Sequence, residues 1–276
     1  MAPAGSQGSK NRPPAAAGRF YDADPQRLRA TVSALLAEVR VTENTTPKAL
    51  IAPHAGYVYS GRVAAAAFAT LQSSARTITR VVLIGPAHFV PVRGIAVSAA
   101  EAFATPLGPV PVDRNALSLV ADLPFVVASD AAHAPEHALE VELPFLQSLL
   151  GSFSVAPFLT GDATPQQTAE VLRRLWGGPE TLVVASSDLS HYHDYDSARR
   201  LDAATADAIE RGQWASFVSQ NACGFLAVAG LLLEAARRGL AARRLSLCNS
   251  GDTAGSPERV VGYGAWTFGR GMAEQL

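Results

Sequence analysis

Val81-Val82-Leu83-Ile84 runs without a break into Gly85-Pro86-Ala87-His88. An unbroken apolar run of this length reads as a strand buried on both faces, and a histidine follows just beyond its carboxyl end. The pattern recurs three times. Leu50-Ile51-Ala52 leads into Pro53-His54, Leu182-Val183-Val184-Ala185 into Ser186-Ser187-Asp188-Leu189-Ser190-His191, and Leu245-Ser246-Leu247-Cys248 into Asn249-Ser250-Gly251-Asp252. In an open α/β sheet, ligands bind in the crevice outside the carboxyl ends of the strands. Four such endings are therefore expected to meet at one edge. The convergence predicts an α/β fold with a mixed or mostly parallel central sheet flanked by helices, and it predicts where the site lies.

Outward from these strands the chain alternates helical and extended patterns with short connections. Asp24-Pro25 marks a helix start, with apolar positions at Leu28, Val32, Leu35 and Leu36. Further helices are expected at about 61–71, 114–120, 136–150, 165–176, 198–211, 215–219 and 225–238. Pro144 requires the helix at 136–150 to kink or to begin late. Strands are expected at 49–52, 78–84, 125–128, 155–159, 182–185, 244–248 and 261–268, with hairpin-like excursions between Phe89 and Val112. Residues 1–18 are rich in Ala, Pro, Gly and Ser and read as a disordered leader outside the fold. No composition break follows, so 19–276 is expected to be one domain.

Composition narrows the function classes. The 276 residues carry 23 basic and 24 acidic side chains, a net charge of −1, so nothing marks a nucleic-acid or acidic-membrane surface. No segment has the roughly 20 consecutive apolar residues of a membrane span. Cys223 and Cys248 form neither a disulfide framework nor a C-x-x-C pair, which suits a reducing cytoplasm. Cys223 opens a very apolar helix and is expected to be a small buried hydrophobe. Gly-x-Ser-x-Gly is absent, against a typical α/β hydrolase.

Against that neutral background the polar residues stand out. Taken singly, His54 or His88 is an ordinary turn residue and Asp188 an ordinary turn cap. At equivalent ends of neighbouring strands, the two histidines become candidate metal ligands. Ser-Ser-Asp-x-x-His places acceptors and an imidazole within six residues, a costly cluster to bury without a role. A second dense segment is His133-Ala134-Pro135-Glu136-His137-Ala138-Leu139-Glu140. On a continuous helix its two imidazoles would share one face and its two carboxylates a neighbouring one, although Pro135 puts His133 outside such a helix. The order is not the H-E-x-x-H of zinc proteases.

Read in order, Ala52-Pro53-His54-Ala55-Gly56-Tyr57, Gly85-Pro86-x-His88, Thr105-Pro106-Leu107-Gly108 and His133-x-x-Glu136-His137-x-Leu139-Glu140 form a series. Leu143-Pro144-Phe145-Leu146, Ser186-Ser187-Asp188-x-x-His191, Cys223-Gly224 and Asn249-Ser250-Gly251-Asp252 continue it. From about Gly18 to the C-terminus the set resembles the Memo family, whose bacterial and archaeal members are called AmmeMemoRadiSam system protein B. That family is similar in fold to the LigB-type class III extradiol dioxygenases, which use non-haem Fe(II). The resemblance implies an α/β domain with a metal pocket. His54 and His88 match the two histidine ligands, Asp188 and His191 match polar residues lining the pocket, and Glu136 and His137 match a motif close to it.

The third ligand is where the chain departs from its relatives. Ring-cleaving relatives place a carboxylate there and animal Memo proteins a cysteine. In this chain the cysteine position falls at Thr253, and Cys248 is five residues too early, which leaves Asp252 as the nearest side chain able to complete a two-His, one-carboxylate set.

Two functions of different class follow. One is a metal-dependent, dioxygenase-like oxidoreductase in which His54, His88 and Asp252 hold Fe(II), with copper or zinc as alternatives. His191, oriented by Asp188, would then act as acid/base on a small, catechol-like substrate. The other is a non-catalytic metal- or partner-binding protein that uses the same cleft. It would be associated, as the resemblance implies, with a radical SAM protein and an AMMECR-type protein. A Cys248 or Ser187 nucleophile is a weaker third reading, because spacing fixes a base beside neither.

Overall fold

The computed structural model describes residues 11–41 and 46–270. A two-residue strand, β1 (Asn11–Arg12), comes first, and helix α1 (Pro25–Ala37) begins where the sequence places it. Asp24 is extended and its carboxylate accepts the N–H groups of Gln26 and Arg27 at 2.9 Å each. Pro25, which has no N–H to satisfy, fills the first helical position. Leu28, Val32 and Leu36 form the buried stripe.

The remaining elements are β2 (Ala49–Ala52), α2 (Tyr57–Phe68), β3 (Arg80–Pro86), β4 (Ile95–Val97), β5 (Ala102–Thr105), β6 (Gly108–Pro111) and α3 (Arg114–Ser118). They continue with β7 (Val126–Ala128), α4 (Asp130–His133), α5 (Leu143–Leu149), β8 (Ser154–Thr160), α6 (Pro165–Leu175), β9 (Thr181–Ser186) and β10 (His191–His193). Helices α7 (Tyr195–Glu210) and α8 (Phe225–Arg237) and strands β11 (Leu240–Asn249) and β12 (Val260–Arg270) complete the order.

The main sheet is mixed with a parallel centre. Its order is β10-β12-β2-β9-β3-β8-β4-β7, with β11 paired along β12. Strands β2, β9, β3 and β8 are mutually parallel, β12 is antiparallel to β2, and β11 is antiparallel to β12. Strand β11 therefore runs in the same direction as β2. The carboxyl ends of β2, β3, β9 and β11 share one edge, as their sequence endings require. Every residue of β2 and β9 is buried, as is every residue of β3 after Arg80, so helices cover both faces. Helices α1, α2 and α5 pack together, and α6 packs on α8, which lies against β3 and β9. A smaller sheet, β1-β5-β6, stands apart.

Three expectations change, the first being that the helix expected at 215–219 is only a short 3-10 turn, Trp214–Ser216. Helix α2 starts at Tyr57 rather than Gly61, because Gly56 supplies the N-cap. The helix expected over 136–150 begins late: α5 opens at Leu143 with Pro144 in its first turn, where the missing N–H costs nothing. His133 ends α4, so the His133–Glu140 segment is turns rather than one helix and its residues diverge.

The larger correction concerns the leader. Met1–Lys10 lies outside the described residues, but residues 11–18 belong to the fold. Strand β1 pairs in parallel with β5, and Arg12 and Ala16 are buried. Arg12 Nη1 meets Glu140 Oε2 at 2.5 Å, Arg12 Nε donates to the His133 carbonyl at 2.7 Å, and Arg12 Nη2 donates to the Glu136 carbonyl. The N–H groups of Ala15 and Ala16 and the hydroxyl of Tyr21 donate to the same Glu140 carboxylate. The segment is a strap that opens with β1 and then bends, and a long-range ion pair holds it down.

His133 is buried against Phe103, its Nε2 is 3.2 Å from the Ala96 carbonyl, and its Nδ1 has no hydrogen-bond partner among the described residues. Burial pushes its pKa from 6.5 down to about 4. An imidazole with a lowered folded pKa binds its proton more tightly in the unfolded chain, so its contribution is complete above the unfolded value and declines as the pH falls. Between pH 6.5 and about 4 the native state should lose about 3 kcal/mol through this residue alone. Urea denaturation at pH 7.5 and pH 4.5 should show a smaller acid loss in His133→Gln than in the parent chain. An unchanged acid loss would contradict the assignment.

Candidate metal centre

His54 follows β2 and is buried. Its backbone N–H donates to Asp188 Oδ1 at 2.9 Å, and its Nδ1 is 2.8 Å from Ser186 Oγ. Ser186 Oγ is also 2.7 Å from the Ala138 carbonyl and 2.8 Å from Glu142 Oε1. One hydroxyl has one proton to give and two lone pairs to offer. All three contacts are satisfied when His54 Nδ1–H and a protonated Glu142 both donate to Oγ, and Oγ–H donates to Ala138. Glu142 is completely buried with no cation paired to it among the described residues, and burial holds its carboxyl in the neutral form. This proton arrangement leaves His54 Nε2 with a free lone pair facing the cavity. Burial, reinforced by the neighbouring His137 and His88 rings, pushes the His54 pKa well down and keeps it neutral.

His88 follows β3 in the same way. Its backbone N–H donates to Glu136 Oε2 at 2.6 Å and its Nδ1 is 2.9 Å from Glu136 Oε1. The N–H groups of His137 and Ala138 reach Oε1 at 2.9 Å each. Burial works against a charge on Glu136, but contact with His137 and the hydrogen bonds from His88 outweigh it and hold the carboxyl well below its usual range. With its oxygens engaged, Glu136 orients His88 and leaves Nε2 of that ring available. Both histidines thus have Nδ1 fixed by an oxygen of the protein, the arrangement that prepares Nε2 for a metal.

The third candidate donor is Cys223. Its Sγ is 3.3 Å from His54 Nε2, and potential ligand atoms of His54, His88 and Cys223 all lie within 4.8 Å of one another. Bonds of about 2.0 Å to nitrogen and about 2.3 Å to sulfur, at a tetrahedral angle, would place N and S about 3.5 Å apart. The donors fit a metal ion. Gly224 makes this possible: a Cβ there would stand 2.5 Å from the Ser186 carbonyl oxygen. Only glycine lets the start of α8 descend onto the end of β9, where the Gly224 N–H donates to Ser187 Oγ at 3.0 Å. Cys223 is therefore not merely the buried hydrophobe its apolar context suggests. His88, Glu136 and His137 form a second close group, but the hydrogen bonds on Glu136 make it an orienting group.

Asp252 is not in either group. Its Oδ1 accepts from the Tyr195 hydroxyl and its Oδ2 accepts the Asn249 N–H at 2.9 Å, closing a capping box over the turn Ser250–Asp252. The exposed carboxylate caps its own turn and lies outside both close groups of possible ligand atoms. Asp188 also differs from expectation. It orients His54, whereas His191 has its Nδ1 2.8 Å from the Leu189 carbonyl. His191 and His137 both line the cavity, and the His137 ring is 4.9 Å from that of His88 and 4.2 Å from Phe20. The cavity, about 810 Å³, is walled on its other sides by Tyr59, Tyr192, Ser250, Arg259 and Tyr263 among others.

The fold and site define an α/β protein with a candidate His/Cys metal centre at the carboxyl edge of its sheet. A family model described as Memo-like protein matches residues 12–267. A MEMO1 family protein of Sulfolobus acidocaldarius is 34% identical over 94% of this chain and 99% of its own length. Similar relatives occur in Aeropyrum pernix, 35% identical over 93% of this chain and 99% of that protein, and in Thermotoga maritima, 33% identical over 91% and 97%. The chain belongs to the Memo family. Among the described residues no helix is long and apolar enough to cross a membrane.

Proposed function

We propose that this chain is a metal-dependent protein whose cavity brings a small ligand to an ion held by His54, His88 and Cys223. The approach of Cys223 Sγ to His54 Nε2 at 3.3 Å carries the proposal. The ion would act as a Lewis acid or redox centre with a side left open to the cavity. Two imidazoles and a thiolate suit copper or zinc better than a two-His, one-carboxylate set, which would favour Fe(II). His54 and His88 bind, Ser186 and Glu136 hold their rings, and His191 faces the cavity as the acid/base group for a bound hydroxyl.

Elemental analysis of untagged protein should give one copper or zinc per chain. A panel of catechols, added without oxygen and then with it, separates the classes. Ring-opened product would mark a dioxygenase-like oxidoreductase acting on a catechol-like substrate, and one metal per chain with no turnover would mark a non-catalytic binder. Absence of stoichiometric metal under all loading conditions would sink the proposal.

A further inference from the structure

Tyr192 is the only non-glycine residue with a positive φ among the described residues, at +62°. Bulky side chains avoid that region, and such strain concentrates at functional sites. Its origin is local. Strand β10 pairs His191 with Val261 and His193 with Val260, with a register irregularity between them that leaves Tyr192 as the extra residue. A bulge of this kind re-aims one side chain. Here it directs Tyr192 to the cavity wall, where the residue stays 64% exposed. Nothing in the packing of an exposed ring explains holding it there.

What the ring meets is Arg259. The guanidinium lies 5.1 Å from the Tyr192 ring centroid, and the His191 ring is 5.7 Å away on the same strand. Arg259 is the only lysine or arginine on the cavity wall, and it has no carboxylate partner among the described residues. Stacking on an aromatic face fixes the plane of a guanidinium and leaves its N–H edge free to grip an anion in bidentate fashion. The hydroxyl-bearing Ser219 and Ser256 line the same cavity. The buried carboxylate of Asp188 also faces it. One guanidinium supplies one positive charge and so matches a monoanion rather than a dianion.

We infer that Tyr192 and Arg259 form a recognition site for a ligand bearing one carboxylate, which enters the cavity with its other end toward His54, His88 and Cys223. The inference rests on the cavity being a ligand site, but it does not need a metal in place. The test therefore uses the full chain stripped of metal, followed by calorimetric or NMR titration with benzoate, isosteric uncharged benzamide and phenyl phosphate. Benzoate should bind roughly tenfold more tightly than benzamide, as expected for charged hydrogen bonds. Arg259→Gln should level the two. Tyr192→Gly should weaken benzoate without lowering the melting temperature, because glycine adopts this backbone conformation without strain.

The inference is overturned if benzoate and benzamide bind alike or not at all. It is also overturned if the preference survives Arg259→Gln, if Tyr192→Gly lowers the melting temperature or leaves benzoate binding unchanged, or if phenyl phosphate binds more tightly than benzoate. A parallel metal titration of the same protein reads the His/Cys centre separately, so failure of one is distinguishable from failure of the other.

Discussion

Arg12→Ala should destabilise the protein by about 3–5 kcal/mol, the cost of breaking a buried ion pair and leaving one charge behind. The charge left is Glu140, which is completely buried and would keep only the Ala15 and Ala16 amides and the Tyr21 hydroxyl. At about 2–4 °C per kcal/mol for a chain of this size, the melting temperature should fall by roughly 10 °C. The loss should not stay in the strap. Arg12 also donates to the carbonyls of His133 and Glu136, which bracket the turn leading into the cavity-lining His137 and the buried Glu136 that holds His88. Metal affinity should therefore weaken along with stability. Arg12→Met combined with Glu140→Leu removes both charges and should recover much of the stability, as apolar replacements of buried pairs often do. Chemical denaturation of the three proteins decides it. If Arg12→Ala melts within 2 °C of the parent, the pair is not an anchor.

That residue shows where sequence reading stops. The strands ending in His54, His88 and Asp188 are legible because an apolar run followed by a polar break is a local signal, and the parallel-sheet rule turns such breaks into one edge. Arg12 sends no local signal. It sits in an Ala/Pro-rich segment, and only parallel pairing with β5, ninety residues away in sequence, makes it part of the core.

Cys223 and Asp252 fail in opposite directions. Asp252 stands close to the expected ligand position along the chain, but Asn249-x-x-Asp252 is itself a capping box, which turns the carboxylate back onto its own backbone. That signal was present in the sequence. Cys223 lies at the start of a helix rather than at a strand end, so the edge rule is silent about it. Its clue is the adjacent Gly224, which is needed only because two backbones approach closely. Glu136 and Glu140 look like one periodic pair in the sequence. Pro135 and the late start of α5 keep the segment from forming one helix, so one carboxylate holds His88 of the candidate metal centre and the other anchors the strap.

The ligand assignment makes the second large effect. Removing Cys223 as Cys223→Ser should lower metal affinity more than 100-fold, because loss of even an outer orienting partner typically costs 10–100-fold. Glu136→Gln should fall within that outer range, since the amide keeps the shape but loses the charge that receives the His88 and His137 donors. Asp252→Asn should leave affinity unchanged, because its carboxylate already caps the Ser250–Asp252 turn. Competition titrations against a chromogenic chelator rank the three, and circular dichroism checks that each remains folded. The order discriminates between donor sets. If Asp252→Asn loses more affinity than Cys223→Ser, the centre is the two-His, one-carboxylate type and Fe(II) becomes the expected ion. If Cys223→Ser loses most, the softer His/Cys centre stands, and His54 gains its third partner from a helix start that Gly224 alone allows to approach.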